Sequence, residues 1–264
     1  GGTAPLSHNT SEQIPAKKSK DDHALPTRFG VPGGTAPLSH NTSEQIPAKK
    51  IKTITHCRRD STCPAAQKEI YMEIIGITGQ IGAGKSTVCA SLRKRGYTHI
   101  DADAVAKSLY VPGGPLLEKL AEIFGSQILT TTGELDKKAL AAIAFSSPER
   151  TKQLNDAVHP AVTEKIRQNL QTLLESGAKW VIIEAIALFE SGENALCDRT
   201  VGVIAPEEVR LSRVMARDGL TREEALFRIR SQKPESFFTE HCDCVLRNYP
   251  PYDLEEEIQR IFPL

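Results

Sequence analysis

The chain has 264 residues, with 33 Lys and Arg against 33 Asp and Glu, so its formal net charge is zero. The balance is uneven: residues 1–71 carry ten basic and six acidic side chains, leaving 23 and 27 for residues 72–264. A mildly acidic main part excludes a nucleic-acid surface of the general electrostatic kind, and no apolar run approaches the 18 residues of a membrane span. In chain order the first feature is an 18-residue segment, GGTAPLSHNTSEQIPAKK, at 1–18 that recurs without change at 33–50. A solenoid repeat would show drift, apolar periodicity and more copies. This segment is poor in apolar residues and rich in Pro, Ser, Thr, Asn and Gly, so it cannot bury enough surface to offset chain entropy. Residues 1–71 therefore read as a disordered, low-complexity extension, the duplication being a recent event or an artefact of assembly. The basic excess there (Lys17, Lys18, Lys49, Lys50, Arg58, Arg59) reads as solvated, since Asp21, Asp22 and Glu44 interrupt any presequence pattern.

The chain lacks an initiator Met, whereas Met72 stands immediately before the first strand pattern, so the folded part is expected to begin there. Its 193 residues suffice for one α/β domain with a sizeable core. Residues 73–77 read as a buried strand, 79–86 spell Gly-Gln-Ile-Gly-Ala-Gly-Lys-Ser, and 87–95 read as a helix. Strand, G-x-x-x-x-G-K-[ST], helix is the context of a phosphate-binding loop. Gly79, Gly82 and Gly84 let backbone N–H groups curl around a polyphosphate, with Gln80, Ile81, Ala83 and Thr87 completing the cradle. The new helix turns its positive end to the same anion. Lys85 is placed to reach the β- and γ-phosphates and the Ser86 hydroxyl to ligate Mg²⁺.

Beyond the loop, 97–100 reads as a second strand ending at Asp101-Ala102-Asp103, followed by a helical stretch 104–110 closed by Pro112-Gly113-Gly114. A long helical region covers 115–124 and 134–176, with breaks expected at the 130–133 turn, at Pro148 and at Pro160. Residues 180–183 form the strongest strand pattern and end at Glu184; 201–204 form another, with Pro206 at the first position of a helix 206–217. After Asp218-Gly219, Thr221 and Glu224 make a capping box for a further helix. A short strand at 244–246 and an amphipathic helix at 252–262 close the chain. Alternating strands and helices predict a parallel sheet covered on both faces, with ligands beyond the strand C-termini.

The informative polar residues lie at those ends. Asp103 is placed to take a proton from an acceptor hydroxyl as that oxygen attacks the γ-phosphate, while Asp101 suits a helix cap. Glu184 ends its strand as a Walker-B acid does, for Mg²⁺ held through water, or is a simple strand-end charge. Arg210, Arg213 and Arg217 share one helix face; with the Gly219 hinge and the next helix they have the layout of a lid, about 210–240, that closes over polyphosphate. The sequence has no N-K-x-D, D-x-x-G or L-S-G-G-Q signature, which sets aside GTPase switches and transporters. Six scattered cysteines form no C-x-x-C pair, and His241-Cys242-Asp243-Cys244 has no partner cluster, so these read as structural thiols of a reducing cytoplasm.

The stretches Gly-Ile-Thr-Gly-Gln-Ile-Gly-Ala-Gly-Lys-Ser-Thr (76–87), Ile-Asp-Ala-Asp (100–103), His159-Pro160, Leu188-Phe189-Glu190, Arg213-x-x-x-Arg217-Asp218, Gln232 and Asn248 together resemble the dephospho-CoA kinase family from Met72 to the C-terminus. The resemblance implies Mg²⁺-dependent transfer of the ATP γ-phosphate to the ribose 3′-hydroxyl of dephospho-CoA, the last step of CoA synthesis. It makes Asp103 the base, Lys85 and Ser86 the phosphate and metal residues, and Arg217 with Arg213 the lid cations. It also implies a helical acceptor subdomain at about 107–176 that includes His159, and Asn248 near the adenine. Asp101 and Lys107 fall on the acceptor side. The chain departs from the family at Ile186-Ala187-Leu188-Phe189-Glu190, where Pro-Leu-Leu-Phe-Glu is usual, and at Lys107, commonly Arg, which loses bidentate phosphate geometry. The residues by themselves leave open a P-loop kinase for a nucleoside or nucleotide, and a nucleotide-binding regulator without catalysis. Oligomeric state is open. A chain beginning at Met72 is expected to fold and to retain ATP-dependent turnover; failure to fold would show that residues 1–71 are part of the domain.

Overall fold

The computed structural model describes residues 71–262; residues 1–70 and 263–264, and with them the duplicated segment, lie outside the described residues. Five parallel strands form one sheet: β1 (Glu73–Gly79), β2 (Thr98–Asp101), β3 (Trp180–Glu184), β4 (Arg199–Ile204) and β5 (Cys244–Arg247), in spatial order β2-β3-β1-β4-β5. The chain thus crosses β1 when it passes from β3 to β4, and the C-terminal ends of β1 and β3 open side by side. Register aligns them: Glu184 lies opposite Ile77 of β1 and opposite Asp101 of β2.

Strand alternation builds two cores from one sheet. Ile74, Val181 and Ile183 enter a cluster with α2 (Ala102–Ser108), α3 (Pro115–Phe124), α4 (Lys137–Ala144) and α5 (Pro148–Glu175). Ile75, Ile77 and Ile182 point the other way, to Val88, Cys89 and Leu92 of α1 (Lys85–Lys94) and Ile258 and Ile261 of α9 (Leu254–Ile261). A third, smaller cluster joins α6 (Glu207–Asp218) and α7 (Arg222–Arg230) through Leu211, Val214, Ala225 and Ile229, with Ile81 of the glycine loop against it. The α6–α7 unit therefore rests on the loop it was expected to cover.

The helix reading needs three corrections. Pro160 does not break the helix: α5 runs through it, with Leu154, Ala157 and Val158 buried before it and Val162, Ile166, Leu170 and Leu174 after it. An interior proline costs about 3 kcal/mol, less than a continuous apolar face of this length returns on burial, at about 1.5–3 kcal/mol per large side chain. The break expected at Pro148 is present: α4 ends at Ala144 and Pro148 starts α5, where Ser147 caps it by accepting from the Arg150 N–H at 3.3 Å. Pro206 precedes α6 in an extended conformation and is not its first helical residue. Residues Glu235–His241 form α8, which the sequence pattern did not suggest; Phe238 buries against the sheet and Phe237 stacks on His241. The capping box at Thr221 and Glu224 forms as expected. Cys242 ends α8 and Cys244 starts β5. Among the described residues, no helix is long and apolar enough to cross a membrane.

Glu193, in a short 3₁₀ turn beyond β3, is only 3% exposed. Burial, with Asp103 adding repulsion against a Ser191 hydrogen bond, pushes its carboxyl from an ordinary 4.5 up to about 7. Between those values the folded chain holds a proton that the unfolded chain releases, so this group makes stability fall as pH rises through the window. Glu193→Gln is expected to flatten that fall and to be the more stable form above it. Urea unfolding on both sides of the window measures this; an unchanged pH slope would show that Glu193 does not titrate there.

Candidate active site

The loop leaves β1 through Gly79, whose φ of +143° and position against the Val203 carbonyl leave no room for a Cβ, and enters α1 through Gly84 at φ +98°. Three distant elements hold its backbone. Ile81 N–H donates to Gln232 Oε1 at 2.7 Å, and Gln80 Nε2 donates to the Lys233 carbonyl at 3.0 Å. Arg213 Nη1 donates to the Gly82 and Ala83 carbonyls at 3.2 and 3.3 Å, and its Nη2 to the Asn248 carbonyl at 2.9 Å. Asn248 Nδ2 donates to the Ala83 carbonyl at 2.8 Å. Carbonyls that would oppose an anion are thereby tied back, which leaves amide hydrogens as the polar groups free to meet one.

The loop forms one wall of a cavity of about 630 Å³, through Ile81, Gly82, Gly84, Lys85, Ser86 and Thr87. Asp101, Asp103 and Lys107 form a second wall, Glu184, Ala185 and Ile186 a third, and Arg213 and Arg217 a fourth. Lys85 is buried, and its Nζ donates to the Gly79 carbonyl at 2.9 Å. Burial lowers its pKa, opposed by the nearby Glu184 and Asp103 carboxylates. Asp101 caps α2, its Oδ1 accepting from the Ala104 N–H at 3.0 Å, and it lines the cavity as well. Asp103 sits in the first turn of α2 rather than at the end of the strand. Burial and the Asp101 charge raise its pKa against the pull of Lys85 and Lys107, which strengthens it as a base.

Ser86 Oγ donates to Glu184 Oε1 at 2.9 Å. Two hard oxygen ligands this close, with room for water beside them, suit Mg²⁺. Burial opposes ionisation of Glu184, but contacts from His99, Ser86 and Cys89 outweigh it and hold the carboxyl below its usual range. Arg217 is bound to Asp218 through Nε–Oδ1 at 2.6 Å and Nη2–Oδ2 at 2.9 Å, a pair that keeps the guanidinium charged and at the rim.

Three expected positions come out differently. Arg210 is buried and turned to the Ala205 carbonyl at 2.8 Å, so of the arginine stripe Arg213 and Arg217 line the cavity and Arg210 does not. Asn248 commits its amide to the loop and does not line the cavity. His159 lies in α5, away from the cavity walls, and burial lowers its pKa. Sequence reasoning also passed over His99 and Cys89. His99 Nε2 lies 3.1 Å from Glu184 Oε2, and among the described residues Cys89, His99 and Glu184 are the one group of such side chains near enough to share an ion. The only sequence signal was Ser86-x-x-Cys89, one face of a helix.

A parallel sheet with this loop after its central strand, an acid at the adjacent strand end and arginines on an overhanging helix pair define a P-loop kinase. The family model for dephospho-CoA kinase matches residues 73–251, and the chain belongs to that family. The dephospho-CoA kinase of Carboxydothermus hydrogenoformans is 40% identical over 179 residues, 68% of this chain and 87% of the relative. That of Corynebacterium diphtheriae is 39% identical over 189 residues, 72% and 94% of the two chains. Among solved structures, a Thermus thermophilus protein matches with TM-score 0.61 at 41% identity, covering 72% of this chain and 94% of that one. The dephospho-CoA kinase from Campylobacter jejuni matches with TM-score 0.54 at 28% identity, covering 71% and 94%.

Asn248→Ala is expected to leave the Ala83 carbonyl unpaired and loosen the loop, at a cost of about 1–3 kcal/mol in stability and about tenfold in ATP affinity. Thermal unfolding with and without nucleotide measures both. Unchanged ATP affinity would mean that Gln232 and Arg213 hold the loop without it.

Proposed function

We propose that this kinase transfers the γ-phosphate of ATP to the ribose 3′-hydroxyl of dephospho-CoA in the cytoplasm, giving CoA and ADP. The observation that carries the reading is the meeting, in one cavity, of a tied glycine loop, Lys85, Ser86, the pKa-raised Asp103 and Arg217. The loop amides and the N-terminus of α1 bind the polyphosphate of ATP. Lys85 leaves the Gly79 carbonyl to meet the β- and γ-phosphates. Asp103 takes the proton of the acceptor hydroxyl as its oxygen bonds to the γ-phosphorus and the bond to the bridging oxygen of ADP breaks. Arg217 exchanges Asp218 for the transferring phosphoryl group; a cation supplied this way is worth roughly 10³–10⁵ in rate. Ser86 and Glu184 would hold Mg²⁺, which when bound neutralises charge on the phosphate chain. Asp101 and Lys107, which line the cavity, are assigned to the acceptor, with Lys107 as a single-point phosphate contact.

ADP release should require dephospho-CoA and should not occur with nucleosides or nucleoside monophosphates. Asp103→Asn is expected to lower turnover about 10²–10⁴-fold while ATP still binds. The acid limb of the wild-type pH profile should lie above the range of an ordinary carboxylate, because Asp103 must be ionised to act and its pKa is raised. A folded, ATP-binding chain without dephospho-CoA-dependent turnover would overturn the proposal.

A further inference from the structure

The β2–β3 register sets His99 opposite Ile182. Glu184 is two residues further along β3, and strand alternation puts it on the face of Ile182. His99 and Glu184 therefore share the face of the sheet that α1 covers. On α1, Cys89 follows Ser86 by three residues, so both project toward the same carboxylate. One ligand atom each from Cys89, His99 and Glu184 lie within 4.8 Å of one another. All three side chains are shielded: Cys89 is buried, and those of His99 and Glu184 are 16% and 12% exposed. His99 Nε2 is buried and, though 3.1 Å from Glu184 Oε2, is not directed for a hydrogen bond. An imidazole nitrogen buried without an aligned partner is costly, and it lies beside the other two ligand atoms.

A tetrahedral zinc ion holds S, N and O ligands at about 2.0–2.3 Å, which sets them roughly 3.5 Å apart. Closing the Cys89–His99–Glu184 group to that spacing requires movement of about an ångström, within the reach of side-chain rotation. The ligand chemistry is selective: thiolate and imidazole favour zinc-like cations and are poor ligands for Mg²⁺. Glu184 thus stands between two cation environments. One is made of oxygens with Ser86; the other is made of sulfur and nitrogen with Cys89 and His99.

We propose that Cys89, His99 and Glu184 bind a thiophilic divalent cation such as Zn²⁺, and that its binding stops phosphoryl transfer by drawing Glu184 away from Ser86. Binding converts the Cys89 thiol to a thiolate and releases its proton to solvent, while neutral His99 donates its Nε2 lone pair and keeps its proton on Nδ1. The fourth position is left for water. The inhibitory half rests on the proposed role of Glu184 beside Mg²⁺; the binding half does not.

The test uses the full chain and two readouts. Co²⁺, a spectroscopic substitute for Zn²⁺, is expected to give a near-ultraviolet thiolate charge-transfer band that saturates at one equivalent. The band should vanish in Cys89→Ala, weaken in His99→Gln and persist in Cys242→Ala and Cys244→Ala. Even an outer-shell partner is worth 10–100-fold in metal affinity, so Cys89→Ala should weaken Zn²⁺ inhibition at fixed Mg-ATP by about 100-fold or more. Its turnover in Mg²⁺ alone should persist. A band that survives in Cys89→Ala, or no band in the wild type, would overturn the site. A Cys89-dependent band with turnover indifferent to Zn²⁺ would overturn the withdrawal of Glu184. Absence of turnover in the Mg²⁺-only control would count instead against the proposed function.

Discussion

The backbone of the phosphate-binding loop is held from outside itself, by Gln232, Arg213 and Asn248, and the rest of the site takes its position from that tethering. A glycine-rich segment loses more conformational freedom on ordering than any other sequence would, and its own internal hydrogen bonds are few. Side chains more than a hundred residues away in sequence supply what the loop lacks. They bind carbonyls and one N–H, so the remaining amides stay directed inward, where an anion can meet them. The same contacts bind α6 and the segment after β5 to the loop, which makes nucleotide binding and the position of the arginine helices parts of one equilibrium.

The sheet supplies the second constraint. Its order sets the ends of β1 and β3 side by side, and its register places Ile77, Glu184 and Asp101 on one line. Alternation then decides which neighbours each strand-end acid meets. Glu184 faces α1, with Ser86, Cys89 and His99 around it. A carboxylate with three polar neighbours in a half-buried setting stays ionised despite its burial. Asp103, in the first turn of α2 and with a second carboxylate close by, is pushed the other way. Two acids in one cavity with opposite shifts are suited to different tasks, one to hold a cation and one to receive a proton.

The cations are held by contacts that a polyphosphate can replace. Lys85 donates to the Gly79 carbonyl, and Arg217 is paired with Asp218 in a rim position where its side chain is 61% exposed. An ion pair this exposed is worth about 0–1 kcal/mol. A multiply charged phosphate in the cavity would offer both groups a stronger partner, and Arg228, 3.6 Å from Asp218, would remain to neutralise that carboxylate under the proposed exchange. The αL glycine at the end of α6, Gly219, lies at the point where such a rearrangement would turn.

Much of the fold was legible in the sequence because its signals are local. The strand before Gly79, the loop spelling, the capping box at Thr221 and the apolar runs at β3 and β4 each depend on residues within a few positions of one another. Propensity failed where burial outweighed it. Pro160 is a breaker by its own chemistry, yet α5 packs on both sides of it and continues. The Arg210, Arg213 and Arg217 stripe shows why a shared helix face does not mean a shared role: Arg210 turns back to the Ala205 carbonyl just after β4, whereas Arg213 and Arg217 line the cavity. By itself the sequence determined the chemistry at hand, a glycine loop with Lys85 and Ser86 and acids at strand ends, because chain neighbours carry it. Only the tertiary structure decided that Asn248 and Gln232 hold the loop, that His159 lies outside the cavity, and that Cys89, His99 and Glu184 converge. Those relations arise from strand register and helix rotation, which join residues from ten to 165 positions apart and leave little trace in local pattern.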